Sequence, residues 1–377
     1  MINNSDDPIE HQTIDAQLKP YRNLKFEQFA RAYKPLEISA TMKAQPEDFI
    51  VDEQLPFELS GEGEHAWLHI QKRDCNTDWV AKALAKIAGV RSRCVGYAGL
   101  KDRHGLTSQW FSVHLPGMPD PDWQQIESFP GEVGNIKLLE ARRHSRKLRR
   151  GALKENRFVI RLRHLKGGGD DPTGLIESRC RLIAERGMPN YFGVQRFGHG
   201  MGNVAAAVEM FSNDELRLPR HKKSIYLSAA RSWIFNRILS ARVEQDTWDS
   251  RIDGDVFMLE GKTACFWDDG SVELEERVAN KEIHPTGVLW GEGELRTQGK
   301  VAALEKAIVD ENPQLKAGLC QFKVQQMRRS LRVLPKNMSW VLEGDELLLS
   351  FDLPAGCYAT MVLRELLDVD EAMVPET

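Results

Sequence analysis

The segment from Asn156 to Arg163 alternates between apolar and polar or charged side chains, residue by residue. Phe158, Ile160 and Leu162 fall on one face, and arginines occupy the other. A period of two residues is that of a strand buried on one side. Other strand-like runs are joined by turns, without the regular exchange of strand and helix that a parallel sheet requires. The chain is therefore predicted to be α+β, a mixed α/β protein with mostly hairpin-like connections.

The remaining elements follow from apolar spacing and from residues that begin or end a helix. Asn76 or Thr77 can cap a first helix, and Gly89 can end it. The pattern predicts helices at 77–88, 175–186, 224–243, 301–309 and 360–367. It predicts strands near 49–53, 65–72, 94–98, 110–113, 135–140, 156–163 and 346–353.

The chain has 377 residues, which is more than one compact core usually holds and indicates two domains. No apolar run approaches the roughly 20 residues needed to cross a bilayer. Residues 1–20 are polar and acidic, so they do not form a secretory signal, and we expect a loosely ordered extension. The six cysteines are widely scattered. Their spacing argues against a zinc site or a disulfide framework and favours a reducing, cytoplasmic location.

The net charge is −4, yet the basic residues are concentrated in short runs. The run 142–150 holds six Lys or Arg and no acid, and two further basic runs lie at 217–223 and 323–336. We interpret the first run as a binding site for RNA or another polyanion, with solvated charged faces as the alternative. Aromatic residues near basic ones are expected to offer stacking surfaces for bases. They are Phe158, Tyr191, Phe192 and Phe197.

One glycine-bounded segment concentrates chemistry, because Lys101, Asp102, Arg103 and His104 lie between Gly99 and Gly105. Strand-like residues precede and follow this segment. A strand-turn-strand that places one carboxylate among cations can expose a catalytic group on a rigid support. The alternative is an ordinary type I turn with Asp first and Gly last.

Several other motifs do not form the sites that they suggest. The glycines at 198, 200 and 202 lack the spacing of a dinucleotide fingerprint. The Gly-rich stretch 166–174 has Lys before its glycines and therefore is not a phosphate loop. His65 and His69 share one strand face, but no third ligand lies near them in the sequence to complete a metal site.

Five segments together resemble the TruD family of tRNA pseudouridine synthases. They are Lys43-x-x-Pro-Glu-Asp-Phe49, Gly99-Leu-Lys-Asp-Arg-His-Gly105, Asn156-x-Phe158, Asn190-Tyr-Phe-Gly-x-Gln-Arg-Phe-Gly198 and Ala359-Thr-x-x-x-Arg-Glu-Leu366. They occur in the family's order and span residues 40 to 368. The resemblance implies isomerisation of uridine-13 in the D arm of tRNA to pseudouridine, with no metal or other cofactor. tRNA is the implied partner, and no obligate protein partner or membrane is implied.

The resemblance also implies roles for particular side chains. Asp102 matches the catalytic aspartate, which attacks either C1′ of the ribose or C6 of the base, and Lys43 matches the cation that accompanies it. Phe49, Asn156, Phe158 and Tyr358 match residues that line the uridine pocket. Phe49 and Phe158 also fit core positions on alternating strands, and Lys43 also fits a surface lysine before a turn.

The implied architecture is a pseudouridine synthase fold, with a centrally split sheet and an inserted α/β TRUD domain. Residues 1–185 and 331–377 would form the catalytic domain. Residues 186–330 would form the insertion, which would carry residues 195–197 and the long helix with Arg231 and Asn236, and which would clamp the tRNA. Two alternatives remain from the residues: a non-catalytic RNA-binding or chaperone module, and a metal-dependent nuclease that uses Asp102 and His104.

Overall fold

A computed structural model describes residues 15–130, 134–149, 151–213 and 215–372, which form two units. The first unit comprises Pro35–Arg186 and the described residues from Leu334 onward. The second comprises Gly187–Val333 and the described residues up to Lys34. The sequence-based division assigns residues 15–34 to the catalytic domain, whereas their contacts group them with the second unit. Most of the extension expected at 1–20 lies outside the described residues.

The strands, in chain order, are β1 (Ile38–Met42), β2 (Phe49–Gln54), β3 (His65–Arg73), β4 (Val95–Tyr97), β5 (Leu106–His114), β6 (Asn135–His144), β7 (Glu155–Gly167), β8 (Met188–Pro189), β9 (Val256–Leu259), β10 (Cys265–Trp267), β11 (Ile283–Leu289), β12 (Met327–Ser330), β13 (Arg332–Val333), β14 (Lys336–Glu343), β15 (Glu346–Pro354) and β16 (Asp368–Glu371). The helices are α1 (Thr77–Ile87), α2 (Pro172–Arg186), α3 (Gly202–Ser212), α4 (Arg220–Glu244), α5 (Glu273–Ala279), α6 (Gly299–Asp310), α7 (Pro313–Gln321) and α8 (Ala359–Leu366). Every helix and strand that the sequence predicts has a counterpart here. None of the helices in the described part of the chain is long and apolar enough to cross a membrane.

The first unit is built on one large sheet with the order β14-β15-β7-β2-β5-β3-β6. Most neighbouring strands are antiparallel, which confirms the predicted α+β class. The exception along this order is a short parallel pairing of β2 with β5, from Ile50–Leu106 to Asp52–Ser108. It joins two antiparallel halves. Because both strands start at the same edge of the sheet, the loops that precede them are brought together.

Helix α1 packs its apolar face on the half of the sheet that contains β3 and β5. Val80 and Leu84 are fully buried against Leu68, Ile70 and Phe111. The helix begins after Asn76, whose side chain makes no capping hydrogen bond, and it is followed by Gly89 at a positive φ of 64°. Burial on this face fixes which side of β3 points to the core and which side remains open.

The second unit combines α3, α4, α6 and α7 with a small sheet in the order β10-β9-β11-β12. Its core includes aromatics that the sequence analysis treats as stacking surfaces for bases. Tyr191 is 1% exposed and Phe197 0%. The stretch before Lys34 covers them, with Phe29 stacked on Tyr191 at 5.7 Å and tilted against Trp233 at 5.2 Å. The stacking interpretation is therefore wrong for these two rings, because another segment of the chain buries them.

Other polar and basic side chains of the second unit are also buried among protein partners. Asn236 is fully buried and bonds both the amide and the carbonyl of Phe192 at 2.9 Å, so it braces a loop. In the basic run 323–336, Arg328 pairs with buried Glu305 at 2.9 Å. Arg332 is buried as well and donates to His284 Nδ1. Buried arginines of this kind are satisfied inside the protein and are not free to bind phosphate.

Candidate active site

Lys43 and Asp102 meet at the edge where β2 and β5 begin. Lys43 follows β1 with a positive φ of 56°, and its Nζ donates to Asp102 Oδ2 at 2.7 Å. The lysine side chain is 9% exposed and the aspartate side chain 35% exposed. The cation is therefore largely covered by protein, while the carboxylate that it neutralises remains open to a ligand.

Hydrogen bonds to buried side chains hold the backbone around Asp102. Fully buried Lys72 donates its Nζ to the Asp102 carbonyl at 2.8 Å and to the Cys75 carbonyl at 2.7 Å. The amide of Lys101 donates to Thr77 Oγ1 at 3.1 Å. Gly105 packs so closely on β2 that a Cβ there would lie 2.8 Å from the Phe49 carbonyl oxygen. These contacts fix the position of the loop, as a support for a catalytic group requires.

Lys43 keeps its charge because two carboxylates oppose the effect of burial. Burial lowers the pKa of Lys43, but Asp102 and Glu371 together raise it by more than burial lowers it. The net pKa of Lys43 therefore lies above its usual value. Glu371 Oε1 is 3.2 Å from Nζ, and the Phe49 ring centroid is 4.8 Å from it. A charged ammonium therefore lies against one oxygen of the Asp102 carboxylate.

Aromatic rings line the adjoining part of the sheet. Phe158 stacks on Phe351 at 5.6 Å and meets Phe49 edge-on at 6.3 Å. Phe49 and Phe158 are 6% and 7% exposed. The structure therefore places Phe49 beside Lys43 and Phe158 against Phe49, and both rings also form part of the core.

Asn156 joins the same site through Lys101. It lies opposite Glu53 in the β2–β7 register, and its Oδ1 accepts from Lys101 Nζ at 2.5 Å. The same ammonium is 2.9 Å from Glu53 Oε1, and the Glu53 side chain is fully buried. Burial raises the pKa of Glu53, although Lys101 and the Trp110 amide act in the opposite direction. Because an ammonium only donates, the Asn156 amide oxygen is fixed towards Lys101.

The remaining sequence-predicted residues lie on α8 and in the Asp102 loop. Tyr358 is half-buried at the start of α8 and follows β15, whose Leu353 pairs with Asn156. Arg103 is exposed, and His104 Nδ1 faces Asp74 at 3.7 Å. The described residues contain no group of three or more His, Cys, Asp or Glu arranged to hold a metal ion.

The sequence analysis assigns no role to four residues that build the site: Glu53, Lys72, Lys101 and Glu371. Lys101 lies within the Gly99–Gly105 motif, and Glu53 follows the Lys43–Phe49 motif by four residues. Their proximity to these motifs could have indicated a role in the site. Glu371 is brought in by the parallel pairing of β16 with β1, and nothing in the local sequence indicates it. The arrangement presents one open carboxylate, one fixed cation, an amide and apolar rings, which suits nucleophilic chemistry on a flat, neutral base.

Comparison with known proteins shows what the chain is similar to along most of its length. The family model for tRNA pseudouridine synthase D (TruD) matches residues 27–214 and 201–366. A tRNA pseudouridine synthase D of Hydrogenovibrio crunogenus is 49% identical over 90% of this chain and 96% of its own length. That of Methylococcus capsulatus is 45% identical over 93% and 98%.

A crystal structure from Methanosarcina mazei, described as that of a candidate tRNA pseudouridine synthase D, shares the fold. Its TM-score is 0.66 at 21% identity, over 94% of this chain and 98% of that one. The family model spans residues 27–366, and the two relatives cover 90% and 93% of the chain. The chain therefore belongs to the tRNA pseudouridine synthase D (TruD) family.

Proposed function

We propose that this protein isomerises uridine-13 in the D arm of tRNA to pseudouridine in the cytoplasm, with Asp102 as nucleophile and no cofactor. The observation that carries the proposal is the 2.7 Å contact between Lys43 Nζ and Asp102 Oδ2. It supplies an ionised, accessible carboxylate on a rigid loop. The first unit would hold the chemistry, and the second would bind other parts of the tRNA.

The reaction breaks the N1–C1′ bond, turns the uracil, and forms a C5–C1′ bond. Asp102 would bond transiently to C1′ or to C6 while the base is turned, and it is regenerated when the product forms. The hydrogen at C5 leaves as a proton, and N1 gains one, so no oxidant or reductant is needed. Phe49, Phe158 and Tyr358 would hold the ring. Asn156 would donate its Nδ2 hydrogens to a carbonyl oxygen of the base, because Lys101 occupies its oxygen.

Asp102→Asn tests the proposal, because it removes charge and nucleophile with little change of shape. We expect tritium release from tRNA labelled at C5 of uridine to fall at least about 10³-fold, with tRNA binding retained. Asp74→Asn is the matched control: Asp74 has a side chain that is 40% exposed, has a positive φ that Asn also adopts, and faces His104. Normal turnover by Asp102→Asn would refute the assignment of the nucleophile.

Two more measurements separate the proposal from its alternatives. A transcript with cytidine at position 13 should release no tritium, and release that persists would place the reaction elsewhere. A metal-dependent nuclease would cleave the RNA and lose activity in EDTA, whereas the isomerase should leave the strand intact and work in EDTA. A non-catalytic binding module would bind tRNA and release nothing.

A further inference from the structure

A cavity of about 930 Å³ lies in the first unit at the end of β3 opposite to Asp102. It is lined by aromatic, imidazole and basic side chains, among them Phe57, His65, His144, Arg146 and Arg149. His65 starts β3, and Lys72, seven residues later on this strand, holds the Asp102 carbonyl. The two places are therefore about 23 Å apart along the strand. A single nucleotide cannot occupy both.

The walls of this cavity are flat rings. Phe57 is 43% exposed although it is large and apolar. Its ring stacks on His144 at 5.2 Å and 15°, and meets the buried Trp67 edge-on at 5.7 Å. His65 stacks on His114 at 4.5 Å across the neighbouring strand. Exposed flat rings supported from behind are the surface on which an unpaired base stacks.

The two lining imidazoles are held in their neutral form near neutral pH. Burial lowers the pKa of His65, and His114 and Lys147 lower it further. Burial also lowers the pKa of His144, with a further contribution from Arg146. Neutral rings add stacking area without adding charge, so the positive charge of the cavity comes from its lysine and arginines.

Those cations are available for an anion. Within the described residues, neither Arg146 nor Arg149 has a carboxylate partner, whereas Arg143 on the neighbouring strand pairs with Asp120 at 3.0 Å. Lys147 donates to the Arg93 carbonyl at 2.8 Å and keeps its charge unneutralised. Among the described residues that line the cavity, Glu58 is the single acid. Unpaired guanidinium groups beside stacking rings match the phosphates and bases of one RNA strand.

A shallower depression continues from this cavity along β3. It shares Phe57 and Glu58 and extends to His69, Trp110 and Glu53. Three of the four acids among its described lining residues contact a basic side chain: Asp52 is 3.1 Å from His69, Glu140 is 2.8 Å from Arg142, and Glu53 pairs with Lys101. A groove thus joins the cavity to Glu53, the partner of Lys101.

We propose that this cavity is a second nucleotide-binding site, which takes an unpaired base on Phe57 and the adjoining phosphates on Arg146 and Arg149. The proposal rests on the proposed function, since it assumes that tRNA is the RNA bound at Asp102. It would hold a nucleotide several positions away from the reacting uridine. Substrate selection would then depend on the body of the tRNA as well as on the target base.

Binding of a tRNA transcript to the full chain tests this site, measured by fluorescence anisotropy in the Asp102→Asn background so that no turnover occurs. Phe57→Leu keeps apolar bulk but removes the ring, and we expect 5- to 50-fold weaker binding, on the order expected for one lost stacking contact. Val341→Ala is the control, because Val341 is 50% exposed on β14 of the first unit and does not line the cavity. Phe57→Tyr should bind as the parent does.

Arg146→Ala with Arg149→Ala should lower the slope of log Kd against log salt by about 1.5, as expected for two lost phosphate contacts. Lys82→Ala with Lys86→Ala on α1 removes the same charge from another face and should leave the slope nearly unchanged. Circular dichroism melts establish that all variants fold. Unchanged affinity in Phe57→Leu together with an unchanged slope would overturn the proposal. Absence of pseudouridine formation by the wild-type chain would instead refute the proposed function, and the binding readout does not depend on it.

Discussion

Lys101→Met is the perturbation whose outcome follows most directly from the geometry. Lys101 Nζ is 2.9 Å from Glu53 Oε1, and the side chains are 11% and 0% exposed. Removing the cation leaves a buried carboxylate with the Trp110 amide, at 2.9 Å, as its remaining donor. Breaking a buried pair costs about 3–5 kcal/mol, and we expect about 3 kcal/mol because that amide bond persists. The urea midpoint should fall by about 1–1.5 M.

A double-mutant cycle separates the unpaired charge from lost packing. Glu53→Gln keeps an acceptor for the Trp110 amide and removes the charge, so Lys101→Met should cost less than about 1 kcal/mol in that background. Lys154→Met is the matched control. Lys154 pairs with Glu155 at 3.0 Å but is 58% exposed, and exposed pairs contribute about 0–1 kcal/mol.

The cost of Lys101→Met should also depend on pH, with a defined sign. Burial raises the pKa of Glu53 in the folded protein, so the folded state binds this proton more tightly than the unfolded state does. The stabilising contribution of this proton is present below the unfolded pKa, about 4.3, and is lost as pH rises through the folded pKa. Without Lys101 the folded pKa rises further, so the variant should be nearly as stable as wild type near pH 4 and lose most at pH 7. A cost below 1 kcal/mol at pH 7, or one that does not vary with pH, would refute this reasoning.

Two other predictions concern the contacts around Asp102. Lys43→Met removes the cation that is 2.7 Å from Asp102, and we expect the rate constant for tritium release to fall about 10²–10³-fold with tRNA affinity within threefold; a fall in affinity alone would contradict a role in the chemistry. Gly105→Ala places a Cβ 2.8 Å from the Phe49 carbonyl, and urea unfolding should show a loss of about 1–3 kcal/mol, whereas unchanged stability would show that the two strands can separate at no cost.

Local patterns predict the elements of this fold well, because each depends on near neighbours in the sequence. The alternation at 156–163 lies within β7, and the apolar spacing after Asn76 matches α1. The aromatic ring of Tyr191 could not be assigned in this way, because the segment that buries it lies about 160 residues earlier. Glu371 reaches Lys43 across 328 residues through the β1–β16 register, which only the folded sheet determines.

The cations that flank Asp102 in the sequence are not the ones that neutralise it. Lys101 contacts Glu53 and Asn156, and His104 faces Asp74, so both side chains are directed to other partners. The ammonium that binds Asp102 Oδ2 comes from Lys43, 59 residues earlier. Within the described residues Oδ1 accepts no hydrogen bond from the protein. The Lys43 ammonium therefore holds Oδ2, and Oδ1 remains available to form a bond. A carboxylate surrounded by three equivalent cations would have both oxygens occupied and would be a weaker nucleophile.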